Sequence, residues 1–528
     1  MKKWSKLLAV FLSVVILLSG CMSPEMEKLF FGTPYSEMTY TRPDMQQFQQ
    51  TLDRCCETAR TSEEIDTVMD AVWDFYDAYD RFCTDYNLSY IGYCRDVTDT
   101  YWEAEQEFCA ENSAQVEAGL DTFYRALAQS PLRETLETED YFGADFFDAY
   151  EGESVYDEEF MALMEQEAQL EEQYYELWES AAESEVYSEA FYTDHAGGMA
   201  QLFAKLVALR RQIAKTAGYD SYTEFAGDYY HYRDYSPQQM VTYFNQVSQQ
   251  MQSLYWEVDE SAWAAGEAGC SAQEAFDYLH DATKAMGGDL EKVFSRMARL
   301  GLYDIDHGKN KYDIGFEMYL PSYNVPYIFI CPYGTQYDKL AFAHEFGHFA
   351  NDYLCSGSAV GTDVAEVHSQ AMEYLSLCYT DQPELEVYKV ADCLDVYYAQ
   401  SAYCLFELQV YDLEEVTPEN ISALYDQVMQ QFGFPEADYD PLDYVTVSHY
   451  FVQPMYIPSY VLSNDLAFQI YQKEKQTKGA GLDLYKESLL SNDAYLLTFA
   501  EAYGLESPFA QGRIESVCQT FREILLDA

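Results

Sequence analysis

Basic residues are scarce in this chain. Against 91 Asp and Glu it carries 30 Lys and Arg, a formal charge of −61. A field of that sign repels nucleic acid and anionic lipid headgroups, which excludes both as electrostatic partners and favours solubility and cationic ligands. Histidine is scarcer still, eight in 528 residues, so two of them at ligand spacing carry weight. The 13 cysteines contain no C-x-x-C pair, which argues against a zinc site built from cysteine pairs. Beyond the N-terminus no apolar run is long enough to span a bilayer, and there is no internal repeat or low-complexity array. Aromatic residues are plentiful. They make up 16% of the chain, with 50 tyrosines, a composition that separates it from disordered acidic sequences.

The N-terminus reads as a leader. Lys2, Lys3 and Lys6 precede a short apolar stretch, Leu7 to Leu18, too short to span and right for a secretion signal. Leu18-Ser19-Gly20-Cys21 has the form of a bacterial lipobox. The expectation is a signal peptide at residues 1–20, lipidation of the Cys21 thiol, and a body held outside the cytoplasmic membrane by that anchor. Pro24, Pro34 and Pro43 with polar spacing make residues 21–43 a tether. Residues 44–200 are expected to form an N-terminal helical domain and 201–528 a catalytic one. In that compartment Cys55, Cys56, Cys83, Cys94 and Cys109 are expected to be a mixture of bridges and buried thiols.

Periodicity is mostly helical. Leu163, Leu170, Tyr174 and Leu177 share one helix face with a Glu-rich face opposite, and the acidic stretch from Glu137 to Glu189 reads as such helices. Residues 311–334 change texture: Tyr, Ile, Phe and Val between Gly and Pro breaks predict two short strands. A helix is predicted over about 337–354, with Leu340, Ala343, Gly347, Ala350 and Leu354 on its core face.

Within that helix, residues 344–348 read HEFGH. His344 and His348, four apart, point from one face and can grip one Zn²⁺, and Glu345 between them can act on water as general base. A catalytic zinc wants a third protein ligand and one open position. The best candidates lie in a predicted helix over 361–379. There Glu366 and Glu373, seven apart, face the same way. One would ligate and the other could orient a ligand from behind it. His368 points elsewhere and reads as structural or exposed.

These residues resemble the thimet oligopeptidase and oligoendopeptidase F family of zinc metallopeptidases. The likeness is strong over 340–374, where HEFGH is followed by EVHSQAME. It extends loosely over 209–244, over 88–113 with Asp96, Asp99 and YWEAEQEF, and over 302–315 with Asp304 and Gly315. The resemblance implies a mainly α, two-part helical body around a deep substrate channel, with a small β-sheet beside the HExxH helix. It implies one Zn²⁺ per chain held by His344, His348 and Glu366, leaving Glu373 behind the ligands. It also implies a C-terminal His and Tyr at the oxyanion, which fall on His449, Tyr460 and Tyr456 in SHYFVQPMYIPSYVLS. The His–Tyr spacing departs from the family's, and Pro454 and Pro458 interrupt the segment. Short peptides as substrates and a monomer are the implied partners and state. Two rival readings stand beside it. One is a peptide-capturing lipoprotein with this fold and no turnover. The other is a related carboxypeptidase, which would need a cationic clamp for the substrate's terminal carboxylate.

Overall fold

A computed structural model describes residues 32–526 apart from 153, 182–185, 358 and 492. The leader and Cys21 lie outside the described residues. The chain is mainly α-helical, with one three-stranded sheet among the described residues.

Three long helices open the body: α1 (Met45–Thr61), α2 (Ile65–Arg95) and α3 (Thr100–Ala128). Asp44 caps α1 by accepting the Gln47 N–H at 2.9 Å, an N-cap that satisfies one orphan donor of the first turn. Phe48, Leu52, Val72, Phe75 and Phe123 close a core of their own between these helices. A larger core runs from Leu88 to Phe521. The expected division at 200/201 falls inside α5 (Gly197–Thr216). The preceding α4 (Glu158–Ala181) also contributes Leu163 and Tyr174 to the larger core. Tyr174 stacks on Phe451 at 3.9 Å between centroids. In the acidic stretch the long helix begins only at Glu158, after a 3-10 turn at Phe146–Tyr150. Before it, Gly143 (φ 94°) and Gly152 (φ 89°) turn the chain through conformations no helix contains.

All twelve cysteines of the described residues are free thiols, eight of them buried. The expected mixture of bridges and thiols is corrected here: burial as small apolar side chains accounts for cysteines such as Cys55, Cys94 and Cys109.

The two predicted strands are β2 (Gly315–Leu320) and β3 (Val325–Ile330), preceded by a two-residue strand the sequence did not signal, β1 (Tyr303–Asp304). The order is β1-β3-β2, β1 parallel and β2 antiparallel to the central strand. Every residue of β3 is buried, as a central strand covered on both faces requires. β2 is the edge. Tyr319 O accepts the Asn87 amide of α2 at 2.7 Å, and Ser322 N–H donates to Thr84 Oγ1 at 2.8 Å. Behind the sheet lies α6 (Tyr337–Cys355), followed by α7 (Thr362–Cys378), α8 (Pro383–Val410) and α9 (Ile457–Gln476). Helices α6 and α9 pack on either side of α7.

Candidate active site

The entry to α6 is fixed by Asp338, whose carboxylate accepts the N–H groups of Tyr333, Gly334 and Thr335 at 2.9, 2.8 and 3.2 Å. Once started, the helix is buried at Leu340, Phe342, Ala343, Phe346, Gly347, Phe349 and Ala350. His344, Glu345 and His348 are partly exposed in that stretch, together with Ala341 one turn before them. The motif thus occupies the one open face of a core helix.

Gly347 sets how close the next helix comes. A Cβ there would lie 2.5 Å from both His368 O and Ser369 Cα, so α6 and α7 cross almost backbone to backbone. The crossing brings Glu366 and Glu373 to opposite sides of the His344 ring. Glu373 Oε1 lies 2.8 Å from Nδ1, and Glu366 Oε2 lies 3.4 Å from Nε2. Glu366 Oε1 is 3.9 Å from His348 Nε2. One ligand atom from each of His344, His348 and Glu366 falls within 4.8 Å of the others. A tetrahedral dication with bonds of about 2.0–2.1 Å sets its ligand atoms roughly 3.4 Å apart, so the three residues fit such an ion with small side-chain adjustments. Glu366 and Glu373 are both buried, which removes the reading of either as a solvated helix glutamate.

Electrostatics sort these groups. Burial raises the Glu373 carboxyl, but Lys389 and the bond to His344 outweigh it and hold the pKa below the usual carboxylate range. Burial opposes charge on His344, yet its hydrogen bond to Glu373 and the fields of Glu366, Glu373 and Glu345 raise it to about 9. His348 is driven well below the ordinary imidazole value by burial and by its histidine neighbours, which leaves it the neutral imidazole a metal prefers. Glu345 is pushed up to about 7, by burial first and by Glu366 and Glu373, against the pull of His344.

The C-terminal candidates converge here. Tyr456 donates to Glu366 Oε1 at 2.7 Å. Tyr460 Oη lies 3.5 Å from His449 Nε2, and the three rings of His449, Tyr456 and Tyr460 sit 5.1–5.8 Å apart. The two prolines frame this segment. Pro454 follows the short helix His449–Val452, and Pro458 stands in the first turn of α9, where no N–H is missed. Of the sequence candidates only His368 stands aside. It is fully buried, its ring near those of Tyr485 and Phe499, so it is structural and not exposed.

Several residues escaped the sequence reading. Lys389 on α8 is buried and reaches Glu373 Oε2 and Asp392 Oδ2, each at 2.8 Å, so His344, Glu373 and Lys389 form a chain. The turn before Tyr456 is held from outside. Met455 has φ 63°, which a non-glycine residue adopts at a cost. Its N–H donates to Glu407 Oε1 (2.6 Å), and its carbonyl accepts from Arg233 Nη2 (2.7 Å). His231 Nε2 meets Pro454 O at 3.0 Å, while its Nδ1 lies 3.2 Å from Thr362 Oγ1 at the start of α7. The segment HYRDY at 231–235, with its scarce histidine, was the available signal.

Residues 35–155 match the family model of the peptidase M3 N-terminal domain. No curated protein matches the chain by sequence. Among solved structures the chain is similar to PZ peptidase A with an inhibitor, with TM-score 0.82 and 19% identity over 93% of this chain and 99% of that one. It is similar to a protein designated oligoendopeptidase F from Bacillus anthracis strain Ames (TM-score 0.78, 21% identity, 94% and 98% covered). It is also similar to oligoendopeptidase-F from Enterococcus faecium (TM-score 0.57, 15% identity, 91% and 96% covered). The chain thus has the fold of the oligoendopeptidases F, and its residues 35–155 match the model of the peptidase M3 N-terminal domain.

Proposed function

We propose that this protein is a zinc-dependent endopeptidase of short oligopeptides. The observation that carries the reading is the meeting of His344, His348 and Glu366 within 4.8 Å on a face that also presents Glu345. A dication held by those three supplies a Lewis acid for the scissile carbonyl and acidifies water. Glu345 takes the proton of the attacking water and returns it to the leaving amine. Tyr460 and His449 offer donors to the oxyanion. Tyr456, already bonded to Glu366, orients that ligand, as Glu373 and Lys389 orient His344. An extended peptide reaches the site along the edge of β2. Gly315 and Glu317 have the same parity as Tyr319, so their backbone groups also face outward.

The lipobox sequence at Cys21 supports a location for this activity outside the cytoplasmic membrane of a bacterium, on a lipid anchor. Cys21→Ala is expected to move the protein from membrane to soluble fraction and to abolish fatty-acid labelling; an unchanged distribution defeats the anchor.

The experiment for the activity is cleavage of end-blocked, quenched oligopeptides by residues 22–528 and by Glu345→Gln, with zinc quantified in both. Internal cleavage by the wild type, one zinc in each protein and a loss of about 10²–10⁴-fold or more in the variant are expected. Zinc in both and no cleavage of any peptide in a broad library would replace this reading with peptide capture.

A further inference from the structure

The side chain of Glu317 has no part in the site described so far. It lies on the edge strand β2, two residues beyond Gly315 and so on the same side-chain face. A Cβ at Gly315 would lie 3.4 Å from Glu345 Oε1, so this face of the strand looks onto the open face of α6. Asp352 lies seven residues beyond Glu345 on α6, on the same side of that helix. The side chain of Glu317 enters this space with Oε1 shut off from solvent and without a hydrogen-bond partner. Glu317 forms no ion pair among the described residues, and the charges that act on it, Asp352 and Glu345, are both acidic. Burial and those two acids hold its carboxyl well above the usual range.

A carboxylate oxygen shut off from water without a partner, as Glu317 Oε1 is, destabilises the fold unless something outside the chain completes it. Neither protonation state removes the cost, because a neutral carboxyl leaves its oxygen just as unpartnered. The strand supplies the geometry for a completing group. Gly315 marks the level of Glu345, and Glu317 lies about 7 Å further along, two residues of an extended chain. A peptide laid on this edge brings the side chain two residues from its scissile bond level with Glu317.

We infer that Glu317 is a specificity residue that receives the cationic side chain, Lys or Arg, of a peptide bound along β2. The inference rests on the peptidase reading above for the register of the peptide. It differs from a general attraction by the chain's charge of −61, because a desolvated pair survives salt and a surface field does not.

The test uses end-blocked oligopeptides identical except for Arg, citrulline or Glu at one position, scanned over the three residues on each side of the scissile bond. Each is assayed with wild type and with Glu317→Gln. At one position the wild type is expected to favour Arg over citrulline by about 30-fold or more in kcat/KM. That preference should persist in about 0.5 M NaCl, where the Debye length falls to roughly 4 Å. In Glu317→Gln it should collapse to within about threefold. A wild-type preference that vanishes in salt, or that survives in a folded Glu317→Gln, overturns the inference. Should the variant fail to fold, the wild-type salt dependence decides alone. The same ratios read as peptide affinities in Glu345→Gln protein separate the two proposals. A wild type that cuts nothing defeats the peptidase reading, while Arg and citrulline peptides binding equally defeat the role of Glu317.

Discussion

Gly347→Ala isolates the helix crossing on which the site depends. In an open helix interior alanine would stabilise by about 1 kcal/mol over glycine. Here the added methyl would lie 2.5 Å from His368 O and Ser369 Cα, both backbone atoms of a buried helix. Carbon needs about 3.5 Å from such neighbours, so α6 and α7 must part by about 1 Å. Overpacking on that scale costs about 1–3 kcal/mol in a well-packed core, and at a backbone-to-backbone crossing the upper part applies. The expected change is a net loss of about 2 kcal/mol. The same displacement widens the gaps from Glu366 to His344 and His348, now 3.4 and 3.9 Å, by up to about 1 Å, beyond what a tetrahedral ion spans. Zinc affinity should fall about 100-fold. Competition against a chromophoric chelator measures the affinity, and denaturant unfolding of the metal-free protein measures the stability. Zinc binding within threefold of wild type, together with unchanged or raised stability, would refute the close crossing as the determinant of the site.

Three further outcomes are expected. Lys389→Met leaves Glu373 buried beside His344 without its cation, and should cost about 3–5 kcal/mol in denaturant unfolding; a cost under about 1 kcal/mol would show the chain of three to be slack. Tyr456→Phe should weaken zinc binding about tenfold through Glu366, whereas Tyr460→Phe should leave zinc affinity unchanged and lower kcat about 10²-fold; equal effects of the two on metal affinity would undo the division of roles. His231 is held down to about 3, by burial first and then by Arg233, against its bond to Pro454. Between about pH 6.5 and 3 the unfolded chain takes up a proton there that the folded one refuses, so this group lowers stability as pH falls through that window. His231→Asn should make the pH dependence of unfolding shallower by about one proton between pH 3.5 and 6, and an unaltered slope would contradict the burial of a neutral ring.

What could be read in advance was local. The HExxH helix follows from a period of 3.6 and lies within a residue of expectation, with all of its expected core face buried but Leu354; the two strands follow from their Tyr, Ile, Phe and Val between breaks and fall inside the expected 311–334 window. The pairing of Glu366 with Glu373 was also legible as a shared helix face. Their division of labour came only through the family resemblance, because physically it depends on where α6 crosses α7, a distance fixed by the missing side chain of Gly347. The two prolines looked like interruptions, since their place at the ends of helices shows only once the helices are drawn. Lys389 and Glu407 lay beyond reach for a different reason. Each acts on a group 16 to 48 residues away, and nothing in a local window distinguishes a buried lysine or glutamate from a solvated one. Met455 in a left-handed turn carries no signal at all, since glycine or asparagine is the residue that would announce it.

That turn also dates the assembly of the site. Its conformation is held by His231, Arg233 and Glu407, and it carries the tyrosine that meets Glu366. The ligands, the base, these supports and that tyrosine span residues 231 to 456, so closing the constellation requires contacts of very high sequence separation, which form late in folding. A chain stopped short of Tyr456 can make the HExxH helix and still hold no finished site. Completion of the fold itself therefore delays hydrolysis until the whole body has come together.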